Sequence, residues 1–368
     1  MDEAIKTTRV ELKNSRINID LTGKYTPRYW FGITHTPSLL AASSDLLYTN
    51  NQVSTNALGF NMKRDDYVFQ YFNNNYNNAL LTNGDLLTVH HDGAFFDIDY
   101  PAGGTLSKLS RESNVNLLNG TDYLQGYKII NIKVSSDQKR ILLYQEGEKG
   151  LYDERVISVD LSSGQNKITQ LPTSEMRPID FTIGETKFED ETVKRRRNIY
   201  AVSTLTPNKE TAEPGKIFIF NENGSIKETI DQAAYKIISG PPGIFYFLTR
   251  DLKIGMINTA GFRESADKSE VKIIFDNPNQ DEIIDMVNGT NNSVVFSTKK
   301  GKICVIDGST GSTRGSKELG LKENQELTEL SLEPQGKELF YVIKTVPQKK
   351  AKNIEFHLKS LHLSVSEK

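Results

Sequence analysis

Histidine is where a search for chemistry in this chain begins, and there are five: His35, His90, His91, His357 and His362. Only His90-His91-Asp92 forms a local cluster. Imidazole and carboxylate groups are the usual ligands of zinc and similar ions. Consecutive strand residues alternate between the two faces, so these three side chains would converge on a metal only from a turn. The structural reading is preferred; His90, His91 and Asp92 stand as the catalytic candidates, and no metal or other cofactor is expected. His35 lies close to Tyr29-Trp30-Phe31, which holds the one tryptophan. That aromatic triplet is either core packing, the favoured reading, or an anchor at a partner surface.

Other chemistries find less support. Gly-x-Ser-x-Gly does not occur. Gly308-Ser-Thr-Gly-Ser-Thr-Arg-Gly-Ser-Lys317 is glycine-rich but lacks the Gly-Lys-Ser/Thr ending and lies between two strands rather than before a helix. A phosphate would meet no helix N-terminus there. No segment matches a twelve-residue calcium loop. Asn-x-Ser/Thr sequons at Asn119, Asn223, Asn288 and Asn291 are read as turn sequences. Cys304, the single cysteine, lies in the apolar run Lys302-Ile-Cys-Val-Ile306 and is expected to be a buried, inert thiol. No internal disulfide is possible. Lys194-Arg195-Arg196-Arg197 follows the acidic Glu189-Asp-Glu191 so closely that the two runs read as a self-compensating solvated hairpin, with partner docking the other reading.

The composition limits which elements could position any of these groups. Hydrophobic residues are 37% of the 368, and the net charge is −2 from 45 basic and 47 acidic residues. A balance that even supplies no long-range field for nucleic acid. No apolar stretch reaches the ~18–20 residues of a membrane span, and the first ten residues hold no signal-peptide apolar core. Abundant Asn, Ser, Thr, Gly and Asp suit many short strands joined by polar turns.

Those strands recur as a unit: an apolar run ending in Asp or Asn, a Gly-containing turn, and a second short strand. Examples are Arg155–Asp160, Lys216–Asn221, Leu252–Asn258 and Lys302–Asp307, with Gly93–Asp99 similar and weaker copies ending at Asn61 and His362. Intervals between the seven anchors run from 37 to 61 residues, around the ~40–50 of a propeller blade. An acidic or amide side chain there bonds nearby backbone donors, and Gly supplies positive φ. The sequence therefore predicts an all-β chain of one domain, residues 1–368. It would be a single β-propeller of seven four-stranded blades, or six with an N-terminal appendage. The last unit offers only three strands, near 327–332, 338–345 and 353–364. Residues 8–21, apolar and polar at period two, are expected to complete it and close the ring. Residues 184–198 and 205–215 exceed what a blade needs and are expected to protrude as loops or a hairpin.

Two further hairpins, Val134-Ser-Ser-Asp-Gln-Lys-Arg-Ile-Leu-Leu-Tyr144 and Leu332-Glu-Pro-Gln-Gly-Lys-Glu-Leu-Phe-Tyr-Val342, join strands through polar turns. The first resembles the Ser-x-Asp-x-Lys hairpin of bacterial YVTN, TolB and PQQ-like propellers. That resemblance implies architecture and carries no active residue across, because many functions share the fold. The expected function is a non-catalytic interaction or scaffold module of a bacterial envelope or surface assembly. A protein partner is expected, with Tyr29, Trp30, Phe31 and Lys194, Arg195, Arg196, Arg197 as its candidate contacts. The alternative is a propeller hydrolase, lactonase or lyase acting at the channel. Scarcity of cysteine points to an extracytoplasmic or cell-surface location, with the cytoplasm as the alternative.

Overall fold

The computed structural model describes residues 8–20, 38–43, 46–50, 56–61, 66–72, 75–80, 86–92, 103–109, 114–119, 127–147, 150–162, 167–174, 176–190, 193–206, 215–259, 268–333, 335–346 and 354–367. Every element among them is a strand. In chain order these are β1 (Thr8–Asp20), β2 (Ser38–Ser43), β3 (Leu46–Asn50), β4 (Asn56–Asn61), β5 (Asp66–Phe72), β6 (Asn75–Leu80), β7 (Leu86–Asp92), β8 (Gly103–Leu109) and β9 (Asn114–Asn119). There follow β10 (Tyr127–Val134), β11 (Arg140–Gly147), β12 (Gly150–Asp160), β13 (Lys167–Leu171), β14 (Arg177–Asp190), β15 (Val193–Leu205), β16 (Ile217–Phe220) and β17 (Ile226–Ile230). The rest are β18 (Lys236–Ser239), β19 (Ile244–Leu248), β20 (Ile254–Asn258), β21 (Glu270–Phe275), β22 (Ile283–Asn288), β23 (Ser293–Thr298), β24 (Lys302–Asp307), β25 (Thr313–Glu318), β26 (Gln325–Leu332), β27 (Glu338–Thr345) and β28 (Glu355–Glu367).

They form seven four-stranded antiparallel sheets. Six take four consecutive strands in order, β2 to β5, β6 to β9, β10 to β13, β14 to β17, β18 to β21 and β22 to β25. The seventh runs β26, β27, β28, β1, so the N-terminal strand completes the C-terminal sheet as the period-two pattern required. Its register carries Thr8 opposite Glu367 through to Asp20 opposite His357.

Two compact units emerge. One holds Met1–Phe72 and Asn277–Lys368, the other Asn73–Asp276. In the second unit the first strands of successive sheets are neighbours, β6 with β10, β10 with β14 and β14 with β18. In the first unit β22 neighbours β26, and β26 neighbours β2. The second and third strands are largely buried because a sheet lies over each face: Ser293–Thr298 is buried at every position, as is Ile217-Phe-Ile-Phe220. Fourth strands are largely exposed, as in β21 and β25. One core layer joins Phe218, Phe220, Tyr200 and Phe181 to Leu142, Tyr144 and Val156. The next joins Ile199, Ile217 and Ile219 to Ile237, Phe245 and Phe247. In the first unit Val295, Ile303 and Val305 pack with Leu330, Leu339 and Leu361.

The anchors fall where the turn argument puts them. Asn61, Asp160, Asn258 and Asp307 end the third strands β4, β12, β20 and β24, and Asn221 follows β16. Asp160 Oδ1 accepts from the Ser162 amide at 2.9 Å, and Asp307 Oδ1 from the Ser309 and Thr310 amides. Asp99 lies outside the described residues. His362 differs: it sits inside β28, which runs on to Glu367. No turn is needed there, because the fourth strand arrives from the N-terminus. Residues 184–190 and 193–198 are the far ends of β14 and β15, paired in register to Asp190 opposite Val193. Of the segment 205–215, residues 207–214 lie outside the described residues.

Candidate interaction sites

An up-and-down sheet has two ends. At one end the first strand begins, the second turns into the third, and the fourth finishes. The first-to-second and third-to-fourth turns lie at the other.

At the first end, around β10 to β12 and the start of β14, the structure gathers aromatic, acidic and guanidinium groups. Glu154 on β12 is almost wholly buried, its side chain 4% exposed. Its Oε2 accepts from Arg177 Nε at 2.7 Å and from the Tyr144 hydroxyl at 2.6 Å. The Tyr144 hydroxyl also lies 3.0 Å from the Pro178 carbonyl oxygen. Burial, then the neighbouring Glu154 carboxylate, pushes the Tyr144 hydroxyl far above the ordinary tyrosine range. The hydrogen bond to Glu154 raises Arg177, which stays charged with its side chain 36% exposed. Because β12 alternates, Arg155 leaves from its opposite face: its guanidinium lies 3.5 Å over the Tyr127 ring, and its Nε donates to the buried Gln145 at 2.8 Å. The Tyr127 hydroxyl donates to Asp153 at 3.2 Å. Tyr235, just before β18 at the same end of its sheet, is 48% exposed.

The first strands carry a second repeated device. In β10, β14, β22 and β26 the ladder skips one residue, and a polar residue follows the skip: Asn131, Asp180, Asp285 and Glu329. A bulge of this kind re-aims a side chain. Asp285, 3% exposed, accepts from its neighbour's amide, Met286, and from the Leu330 amide of the next sheet, both at 2.8 Å. Asp180 likewise accepts the Ile237 amide of the next sheet at 2.8 Å, while Lys133 of the preceding sheet pairs with its other oxygen at 2.8 Å. Lys133 also donates to the Phe181 carbonyl and stands 4.9 Å from the Phe181 ring centre. These carboxylates are latches between sheets. Sequence reading missed them; the signal was the recurring triplet Ile130-Asn-Ile132, Ile179-Asp-Phe181 and Ile284-Asp-Met286.

At the opposite end Arg140 clamps two sheets. It donates to Asp160 at 2.8 Å and to the Tyr200 hydroxyl at 3.4 Å, and pairs with Glu222 at 3.0 Å. The β14–β15 hairpin also projects there, carrying Lys194 opposite Glu189, Arg195 opposite Phe188, Arg196 opposite Lys187 and Arg197 opposite Thr186.

His90, His91 and Asp92 are the last three residues of β7, paired with Thr105, Gly104 and Gly103 of β8. A strand, not a turn, holds them. Their side chains lie outside the described residues, as do Tyr29, Trp30, Phe31 and the side chains of Lys194, Arg195 and Arg196. Among the described residues no group of three or more His, Cys, Asp or Glu side chains could hold a metal ion. Cys304 is buried on β24, and burial pushes its thiol up to about 11. Among the described residues no helix is long and apolar enough to cross a membrane.

No protein-family description matches the sequence, and no curated protein matches it. Solved structures do. Hydrazine synthase of Kuenenia stuttgartiensis is similar at 11% identity and a TM-score of 0.57, over 86% of this chain and 95% of that one. The β-propeller domain of Myceliophthora thermophila Cps50 (Swd1) is similar at 11% identity and a TM-score of 0.56, over 92% and 99%. The fold is a β-propeller. A third neighbour, KlAtg21 in complex with the coiled coil of AgAtg16, matches at 10% identity and 0.53, over 85% and 94%. At such identities the likeness is one of fold. In a propeller the first strands line the central channel, so the Asp180 and Asp285 latches belong to inner strands.

Proposed function

We propose that the chain is a seven-bladed, non-catalytic interaction propeller, and that a protein partner docks on the end where the first strands begin. One observation carries this reading. Tyr127 with Arg155, and Arg177 on the buried Glu154–Tyr144 pair, present aromatic and guanidinium groups already fixed by buried acceptors. Tyr and Arg dominate interface energetics, and groups held in place before binding lose less entropy on docking. Seven four-stranded sheets and closure by β1 support the blade count. Among the neighbours, KlAtg21 is seen in complex with a coiled coil, which supports a protein partner for this fold. The Ser-x-Asp-x-Lys hairpin and the scarcity of cysteine are what favour an extracytoplasmic bacterial setting in this reading.

The test is photocrosslinking in the producing cell from a benzophenone amino acid at Tyr127 and, at the opposite end, at Gln138. The expected result is a discrete adduct from Tyr127 that Arg177→Ala abolishes and that Gln138 does not give. Identical adducts from both positions would overturn the docking end. Elemental analysis supplies the other check. About one zinc or manganese per chain, lost in the His90→Ala/His91→Ala double variant, would replace this reading with the channel enzyme. Fractionation that leaves the chain in the cytoplasm would remove the compartment.

A further inference from the structure

The β14–β15 hairpin is built unlike the other first hairpins. In four other sheets the first and second strands are joined through residues 135–139, 240–243, 289–292 and 333–337, all short turns. Here the two strands go on. β16 pairs only with Tyr200–Ser203 of β15, whereas β14 stays paired from Gly184, opposite Ile199, to Asp190, opposite Val193. Residues 193–197 therefore have a strand on one side and, among the described residues, none on the other; Asn198 and Ile199 beyond them are buried. At ~3.3 Å per residue that open edge is about 16 Å long.

The base of this ribbon is fixed by both neighbouring sheets. The Glu185 carbonyl accepts from the Gly243 amide at 2.6 Å, and the Glu185 carboxylate pairs with the Ser136 hydroxyl. A Cβ at Gly184 would stand 2.7 Å from the buried Phe245 ring, so a larger residue there would have to displace that ring. Thr186 and Asn198 are buried, at 9% and 7% exposure. Such anchoring holds the ribbon in one direction.

The edge strand carries Lys194, Arg195, Arg196 and Arg197 at consecutive positions, so basic positions fall on both of its faces. Across the ribbon Arg196 is opposite Lys187. Like charges directly opposite one another destabilise a strand pair, and an anionic ligand would relieve that cost. An open ladder supplies backbone donors and acceptors for strand addition.

We propose that this edge receives an extended acidic segment of a protein partner as an added strand. A peptide can continue the open ladder with its own backbone donors and acceptors, which a nucleic acid cannot, and this favours the peptide. The inference goes beyond the docking end proposed above and uses the opposite end of the sheets, so either can fail alone.

The probe is acetyl-Glu-Val-Asp-Val-Glu-Val-Asp-Val-amide, fluorescently labelled and titrated with the full chain. We expect saturable binding, weakened at least tenfold by the Arg195→Glu/Arg197→Glu double variant and falling with added salt. Alternate N-methylation of the peptide, which removes its backbone donors, should weaken binding to a similar degree. An unchanged melting temperature of the variant keeps the comparison sound, and Lys187→Glu is a second variant should that one unfold. No saturable binding overturns the proposal. Equal binding of the N-methylated peptide overturns the added strand. Tighter binding of single-stranded oligothymidylate than of the peptide identifies nucleic acid as the ligand instead and overturns the proposal.

Discussion

Replacing Asp285 by alanine should cost about 3 kcal/mol, and the structure says where the cost arises. The carboxylate is 3% exposed and accepts two backbone amides at 2.8 Å, one of them Leu330 on the neighbouring sheet. A hydrogen bond to a charged group contributes ~1.5–3 kcal/mol, and a buried donor left without a partner costs ~1–3 kcal/mol. The two overlap, because the lost bond is also the origin of the orphaned donor; about 3 kcal/mol is their combined scale. Leu330 is itself 4% exposed, so water has little access to take the place of the carboxylate. Asn keeps one acceptor oxygen but turns its amide NH2 toward the other backbone donor, so Asp285→Asn should cost about half as much as alanine, ~1.5 kcal/mol. Two measurements check this. Urea unfolding followed by circular dichroism gives the order wild type, Asn, Ala. Hydrogen exchange at the Leu330 amide should speed up by about two decades in the alanine variant, since ~1.4 kcal/mol is tenfold. If Asp285→Ala unfolds within half a kcal/mol of the wild type, or Leu330 keeps its protection, the latch is decorative and the reasoning fails.

Deleting residues 1–21 should cause aggregation or a large loss of thermal stability, because β28 would become an open edge and Leu361 and Leu363 would lose the cover of Val10; an unchanged melting temperature refutes the closing strand. Cys304, buried with its thiol raised to about 11, should resist iodoacetamide in the folded protein at pH 8 and react on unfolding, as read by mass spectrometry. Tyr144 should remain un-ionised when ordinary tyrosines titrate, so Tyr144→Phe leaves the ultraviolet titration near pH 10 unchanged in amplitude. The sign for stability follows from its raised folded value. The contribution is full below pH 10, where the unfolded chain also keeps its proton, and is lost as pH rises above that.

The elements were legible because blade strands and their turns are local. Period-two alternation marked β1, and an Asp or Asn marked the ends of β4, β12, β20 and β24, with Asp160 and Asp307 bonding the amides of their own turns. His362 misled for a physical reason: it resembles an anchor in sequence, yet β28 continues past it because β1 supplies the fourth strand without a turn. The groups at the candidate site were not legible. Glu154 looks like any exposed acid in Tyr152-Asp-Glu-Arg155; only the approach of Arg177 from the next sheet, 23 residues later, makes it a buried acceptor. Asp180 and Asp285 read as ordinary strand residues until the skipped position in the ladder turns each toward the following sheet.

The same argument explains why fold and function separate in this chain. A sheet of four strands is specified within some fifty residues, so its sequence carries its own instructions. Four of the polar contacts described above join two sheets: Glu154 with Arg177, Asp285 with Leu330, Arg140 with Glu222, Glu185 with Gly243. Each residue of such a pair answers to a neighbour far along the chain, and neither half has a distinctive local pattern. The β14–β15 ribbon is the exception, since its basic run is contiguous in sequence. Even there the informative fact is an edge, and an edge exists only relative to where β16 stops. A partner surface on this fold is therefore to be sought at the junctions between sheets and at hairpins that outrun their neighbours.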